Sequence, residues 1–144
     1  MKSTLDNDRP IFQQIKEMIE EDILSGLLKP DEQIPSNSRL VSYYGINPVT
    51  VHKGVTLLAD EGLIYKKRGL GMFVAPDAPD ILRKSHGAAF QSEYAAPLVR
   101  QARALGMSDA DIHAHIDEAL EEVAEERANG RPAHPKKEED DSNE

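Results

Sequence analysis

An α+β, mainly helical fold is predicted for this 144-residue chain: an N-terminal winged helix-turn-helix followed by a small C-terminal helical region. Three observations predict it. Two helical patterns, each opened by a capping residue, succeed one another across a tight glycine turn. A short pair of strands with a basic, glycine-bearing tip follows them, and two further amphipathic patterns come after that.

Pro10 opens the first helix, in which Ile11, Ile15, Met18, Ile19 and Ile23 form one apolar stripe at the helical period, and Ser25-Gly26 stops it. Leu27 to Asp31 read as a turn. Glu32-Gln33-Ile34-Pro35 reads as extended, because the residue before a proline is pushed out of the helical region. Ser36 caps a short second helix carrying Leu40, Val41 and Tyr44, ended by Gly45. Asn47 and Pro48, a cap and a favoured first helical residue, then start a third helix with Val51, Val55 and Leu58 inward and Gly62 at its end. Leu63-Ile64-Tyr65 and Met72-Phe73-Val74 read as strands joined by the tip Lys66 to Gly71.

Ala75 to Asp80, with two prolines, read as a linker, so the first domain spans residues 1–76. Beyond it, Ile81, Leu82, Ala88, Ala89, Leu98, Val99, Ala102 and Leu105 fit a long helix, interrupted at Gly87 or kinked at Pro97. Ser108 caps a last helix whose stripe is Ile112, Ile116, Ala119, Leu120 and Val123, with Glu118, Glu121, Glu122, Glu125 and Glu126 on the other side. Residues 77–128 therefore form the helical region, and 129–144 read as a disordered acidic tail.

The formal net charge of −9 argues against a polyanionic partner only if the charges are evenly mixed. They are not. Residues 1–76 hold 9 basic and 10 acidic side chains, whereas 77–144 hold 8 and 16. Within residues 36–76, Arg39, Lys53, Lys66, Lys67 and Arg68 outweigh Asp60 and Glu61, a local excess of +3. At a Debye length of about 8 Å in physiological salt, the distant acids scarcely reach this surface. They are expected instead to discourage non-specific binding to DNA.

Other classes fit poorly. With 0 cysteines there is no disulfide framework, thiolate metal site or cysteine nucleophile. No eighteen-residue apolar run and no apolar signal core are present, so a cytoplasmic protein without membrane contact is expected. No Gly-x-Ser-x-Gly, phosphate-binding loop or His-Glu-x-x-His pattern supports an enzyme, and no cofactor is expected. His113 and His115 with Asp109, Asp111 and Asp117 do not make a metal site, because residues two apart on a helix point away from one another.

On a nucleic-acid reader the third helix places its N-terminal part in the major groove of double-stranded DNA. With its stripe turned inward, Val49, Lys53 and Thr56 face outward and Thr50 and His52 flank them. Lys53 reaches phosphate or a guanine edge, the threonines bond phosphate or base, Val49 meets a thymine methyl, and His52 donates to phosphate or purine N7. Lys66, Lys67 and Arg68 supply charge along the neighbouring backbone or minor groove, where Gly69 and Gly71 allow close approach.

Residues 10–74 resemble the winged-helix domain of the GntR family of bacterial transcription regulators. The resemblance rests on Pro10 to Ile15, on Gly26 with Leu28 and Pro30, and on Ile34-Pro35-Ser36 with Leu40. It continues through Gly45 to Val51, through Leu58 with Glu61 to Ile64, and through Arg68 to Val74. The short helical remainder looks like the small YtrA subfamily, in which about two helices serve dimerisation. The resemblance implies DNA contacts at Ser36, Asn47, Val49, Thr50, His52, Lys53, Arg68 and Gly69. One departure stands out: the family commonly has arginine two residues after the serine and then glutamate, whereas Ser38 and Arg39 occur here. Either Arg39 substitutes from a shifted position or that contact is absent.

The expected function is a homodimeric repressor that binds a palindromic operator, two readers doubling the base contacts of one. Dimerisation is expected through Ile81, Leu82, Phe90, Tyr94, Leu98, Val99, Leu105, Ile112, Ile116, Leu120 and Val123, because two helices alone cannot bury these stripes. No effector is identified by the sequence. The alternative is a winged-helix module whose basic hairpin meets an acidic protein.

Overall fold

Glycines and capping residues punctuate the helices in the order the sequence predicts. The computed structural model describes residues 1 and 4–130 and divides after Phe90 into two units. In the first unit, α1 (Ile11–Ser25) and α2 (Asn37–Tyr44) end at Gly26 and Gly45, whose φ values of 82° and 63° are left-handed. Ser36 Oγ accepts the Arg39 N–H at the start of α2, and Asn47 Oδ1 accepts the Val49 N–H at the start of α3 (Pro48–Asp60). Both serve amides that have no partner within their helix.

The strands β1 (Ile64–Lys67) and β2 (Gly71–Val74) are antiparallel, with Ile64 opposite Val74 and Lys67 opposite Gly71. The hairpin is tighter than the sequence suggests: Lys66 and Lys67 lie on β1 and Gly71 on β2, so the tip is Arg68-Gly69-Leu70. The extended piece before α2 pairs with the free edge of β2, Asp31 N–H donating to Val74 O at 2.8 Å and Ile34 N–H to Met72 O at 3.0 Å.

Ile15, Ile19, Leu40, Val51, Leu58, Leu63, Val74 and Leu82 form the centre of the core. Buried Gln14 is fully engaged: its amide nitrogen donates to the Asp6 and Arg9 carbonyls, and its oxygen accepts the Asp6 N–H. Where α1 meets α3, Gly54 makes room for the Phe12 carbonyl. A Cβ there would sit 2.7 Å from that oxygen and 3.4 Å from Ile15 Cβ. Gly54→Ala is therefore expected to lower stability by about 1–3 kcal/mol through overpacking, outweighing the gain of about 1 kcal/mol in helix propensity. A urea unfolding curve shifted upward would show instead that the helices have room to part.

The predicted linker is not one. A turn at Pro76-Asp77 leads directly into α4 (Ala78–Phe90), whose Pro79 stands in the first turn, where a missing amide costs no hydrogen bond. Ala75, Ala78 and Leu82 are 7%, 0% and 2% exposed and belong to the core, with Ile81 packed against it. The first unit thus runs to Phe90 rather than to 76. Leu82 is a core residue of the first unit, not an interface residue, and Ile81 shares its environment. Gly87 does not interrupt the helix.

The second unit begins with a π-helical turn, Gln91–Ala95, before α5 (Ala96–Ala104). The irregularity that the sequence places at Pro97 falls on this turn, just before the proline. Proline lacks the N–H that the carbonyl of Glu93 would accept, and its ring crowds that carbonyl, so the turn before it widens. In α6 (Asp109–Ala128) a reciprocal cap joins Ser108 and Asp111, each accepting the other's backbone N–H on its side chain. The Ser108 amide it accepts, helped by the Ser108 hydroxyl, holds the Asp111 carboxyl below the usual carboxylate range. Among the described residues no helix is long and apolar enough to cross a membrane. Beyond Gly130 the expected acidic tail lies outside the described residues.

Candidate nucleic-acid interface

The capped start of α3 leaves one helix face without protein cover. Val49 is 74% exposed, and Asn47, His52, Lys53 and Thr56 are exposed with it, while Thr50 is half-buried. The pattern follows from the inward turn of Val51, Gly54, Val55 and Leu58. Ser36 and Arg39 are exposed at the start of α2, which packs on α3, and Lys66, Lys67, Arg68 and Gly69 are exposed on the hairpin.

Two of the lysines are oriented by aromatic rings. Lys53 Nζ lies 3.9 Å from the centroid of the Phe12 ring, and Lys67 Nζ lies 4.5 Å from that of Phe73. A cation over a ring face is attracted by the ring quadrupole, which restricts the stem while leaving the charge unneutralised. Among the described residues, Arg39, Lys53, Lys66, Lys67 and Arg68 make no ion pair. Elsewhere Arg9 pairs with Glu17, Lys16 with Glu20 and Glu61, Arg83 with Asp80 and Arg103 with Asp109, while Lys29, Lys84, Arg100 and Arg127, scattered along the chain, form no ion pair among the described residues.

The base of the hairpin is braced from the segment before α2. Tyr65 Oη donates to Asp31 Oδ1 at 2.7 Å, a hydrogen bond that raises the phenol above its ordinary value. Gln33 Nε2 donates to Leu70 O at 2.7 Å, across 37 residues of chain. The hairpin tip is thereby tied to the residues that lead into Ser36 and α2. Sequence spacing does not reveal either tie.

A second polar cluster, for which the sequence offers no role, joins α1 to α4. Glu20 is 4% exposed, with Lys16 Nζ 2.6 Å from Oε1 and His86 Nε2 2.9 Å from Oε2. Lys16 also reaches Glu61 at 3.1 Å. Burial works against the Lys16 charge, but the hydrogen bonds and charges of the two glutamates outweigh it and raise its pKa. The four-residue spacing of Lys16 and Glu20 is legible in the sequence; His86 is 66 residues from Glu20. These groups floor a cleft of about 430 Å³ walled by Leu63, Ile81 and Leu82. Their polar atoms are turned on one another, so the cluster holds α4 in place.

Known proteins resemble this chain most clearly over the first unit. The family described as bacterial regulatory proteins, gntR family, matches residues 11–74. A histidine utilization repressor of Klebsiella aerogenes is 38% identical over 66 residues, 46% of this chain and 27% of its own length. The transcriptional repressor YtrA of Bacillus subtilis is 36% identical over 73 residues, 51% of this chain and 56% of its own. The chain thus spans about a quarter to just over half the length of these curated relatives. Among solved structures, a GntR-family protein of Bacteroides thetaiotaomicron is 30% identical, with TM-score 0.60, over 78% of this chain and 98% of that one. A GntR-family structure from Listeria monocytogenes, 22% identical with TM-score 0.65, shares the fold. By the matched winged helix and by a relative covered almost end to end, this chain belongs to the gntR family of bacterial regulatory proteins.

Proposed function

We propose that the protein is a homodimeric transcription repressor, and not an enzyme, that binds a palindromic operator. α3 enters the major groove with Val49, Thr50, His52, Lys53 and Thr56. Ser36, Arg39 and Asn47 meet the backbone beside it, and the hairpin lies along the neighbouring minor groove with Lys66, Lys67, Arg68 and Gly69. The observation that carries this reading is the exposed face of α3 beside cations that have no carboxylate partner among the described residues. A surface of that kind suits a phosphate backbone better than it suits solvent alone. The names of the two curated relatives above, both repressors, agree with it. Repression follows where the operator overlaps a promoter.

The homodimer rests on the second unit. α6 buries none of its residues, and Leu98, Val99, Leu105, Ile116, Leu120 and Val123 are between 39% and 64% exposed. An almost wholly apolar groove of about 290 Å³ lies among Leu98, Ala102, Leu105, Met107, Ile112 and Ile116. Helices draw most of their stability from packing an apolar face, and a second copy supplies that face by symmetry. Tyr94, on the π turn, adjoins this surface in sequence, while Phe90 ends the first unit.

Binding to sheared genomic DNA, followed by sequencing of the retained fragments, tests the function. A preferred set of fragments is expected, with log K falling by about 0.9 per neutralised phosphate as log salt rises. Arg68→Ala should flatten that slope by about 1 while weakening all sequences alike; Lys53→Ala should lower the preference itself. No fragment enriched over bulk DNA, or affinity indifferent to salt, would overturn the proposal in favour of an acidic protein partner.

A further inference from the structure

The hairpin tip carries an apolar side chain that the charges around it do not explain. Leu70 is 65% exposed, yet its backbone is held on both sides: its N–H donates to Lys67 O at 3.0 Å, and its carbonyl accepts Gln33 Nε2 at 2.7 Å. The glycines flanking it have φ of 78° and 121°, conformations that side chains rarely adopt. A Cβ at Gly71 would sit 2.6 Å from the Gln33 amide nitrogen, so a side chain there would push Gln33 away from Leu70. The side chain of Gln33 therefore passes over Gly71 to reach Leu70. A leucine on a loose turn is unremarkable. Here the turn is pinned, and the leucine projects from a hairpin whose other exposed side chains include Lys66, Lys67 and Arg68.

We propose that Leu70, pinned by Gln33 between Gly69 and Gly71, is a DNA contact that packs its methyl groups against the sugar edges of the minor groove. This rests on the DNA-binding reading above. The occupant follows from charge complementarity: cations neutralise the phosphates at the groove's rims, and an apolar residue between them meets the deoxyribose carbons and the floor of the groove. Leucine is among the side chains able to act in this way, and an A·T floor, lacking the guanine amino group, admits it more deeply. Gln33 does not touch DNA in this arrangement. It is a positioning residue that sets the angle of the tip relative to α2.

The test uses the full-length protein and the operator fragment selected above. Leu70→Ala is expected to weaken operator binding about five- to tenfold, the loss that follows from re-exposing a few methyl-sized groups. The salt slope should stay unchanged because no counterion is involved, and so should the melting temperature because Leu70 lies at the surface. Gln33→Met, which keeps the length and removes the donor, is expected to cost about three- to tenfold on the scale of one hydrogen bond. The double variant should lose no more than the more affected single one. Unchanged affinity in Leu70→Ala, or a slope reduced as in Arg68→Ala, would overturn the contact. Additive losses in the double variant would overturn the role of Gln33. A wild-type protein with no preferred fragment would instead defeat the DNA-binding reading itself, so the two failures are distinguishable.

Discussion

Replacing Ile116 and Leu120 together with glutamate is expected to give a protein that sediments as a 16.0 kDa monomer and binds its operator about 10²–10⁴-fold more weakly. Both side chains stand on α6 at 39% and 64% exposure, so an isolated subunit should tolerate the change. Across a twofold interface, however, each substitution appears twice and buries carboxylates that nothing pairs. The large loss of DNA affinity comes from connectivity. Once one reader of a dimer is bound, the second is held near its half-site at a high effective concentration, and a monomer loses that advantage. Sedimentation equilibrium and operator titration check both parts. A dimer that survives the substitutions would place the interface elsewhere.

Leu82→Ala is expected to destabilise the first unit by about 2–5 kcal/mol, the range for deleting a buried leucine where the surroundings relax little. The residue is 2% exposed and sits among the side chains of α1, α3 and β2 that also support the candidate DNA face. Unfolding in urea, followed by circular dichroism, should show the loss, with sedimentation at native concentrations unaltered. The opposite pattern, intact stability with weakened association, would return Leu82 to the dimer interface. The same placement governs truncation: a reader cut at Asp80 lacks Leu82, so a stable fragment should extend to Phe90.

The helices of the reader were legible because their ends are written in local chemistry. Ser36, Asn47, Gly26 and Gly45 act within a few residues of themselves, and the stripes Ile15-Met18-Ile19 and Val51-Val55-Leu58 repeat at the helical period. The exposed face of α3 followed from the same periodicity. The first turn of α4 was misread as linker because Pro76 and Pro79 signal a break. Yet proline is compatible with a first turn, and the small stripe Ala75-Ala78-Leu82 carries too little hydrophobicity to compete with that signal. What joins distant segments was not legible. Gln33 with Leu70, Asp31 with Tyr65 and Glu20 with His86 are each one polar pair with no repeat to betray it. Nor does a single lysine announce that Phe12 lies beneath it.

The caps of α2 and α3 have a consequence for what those helices can recognise. Ser36 spends a lone pair of its oxygen on the Arg39 amide, and Asn47 spends its carbonyl oxygen on that of Val49. The hydroxyl hydrogen of Ser36 and the amide hydrogens of Asn47 remain, beside the guanidinium of Arg39 and the ammonium of Lys53. Each capping oxygen keeps one lone pair, but at both helix starts the side-chain donors now outnumber the acceptors left. A phosphate offers only acceptors, and so does the N7/O6 edge of guanine, whereas the exocyclic amines of adenine and cytosine offer hydrogens of their own. Capping therefore biases both helix starts toward acceptor-rich edges before any shape is compared.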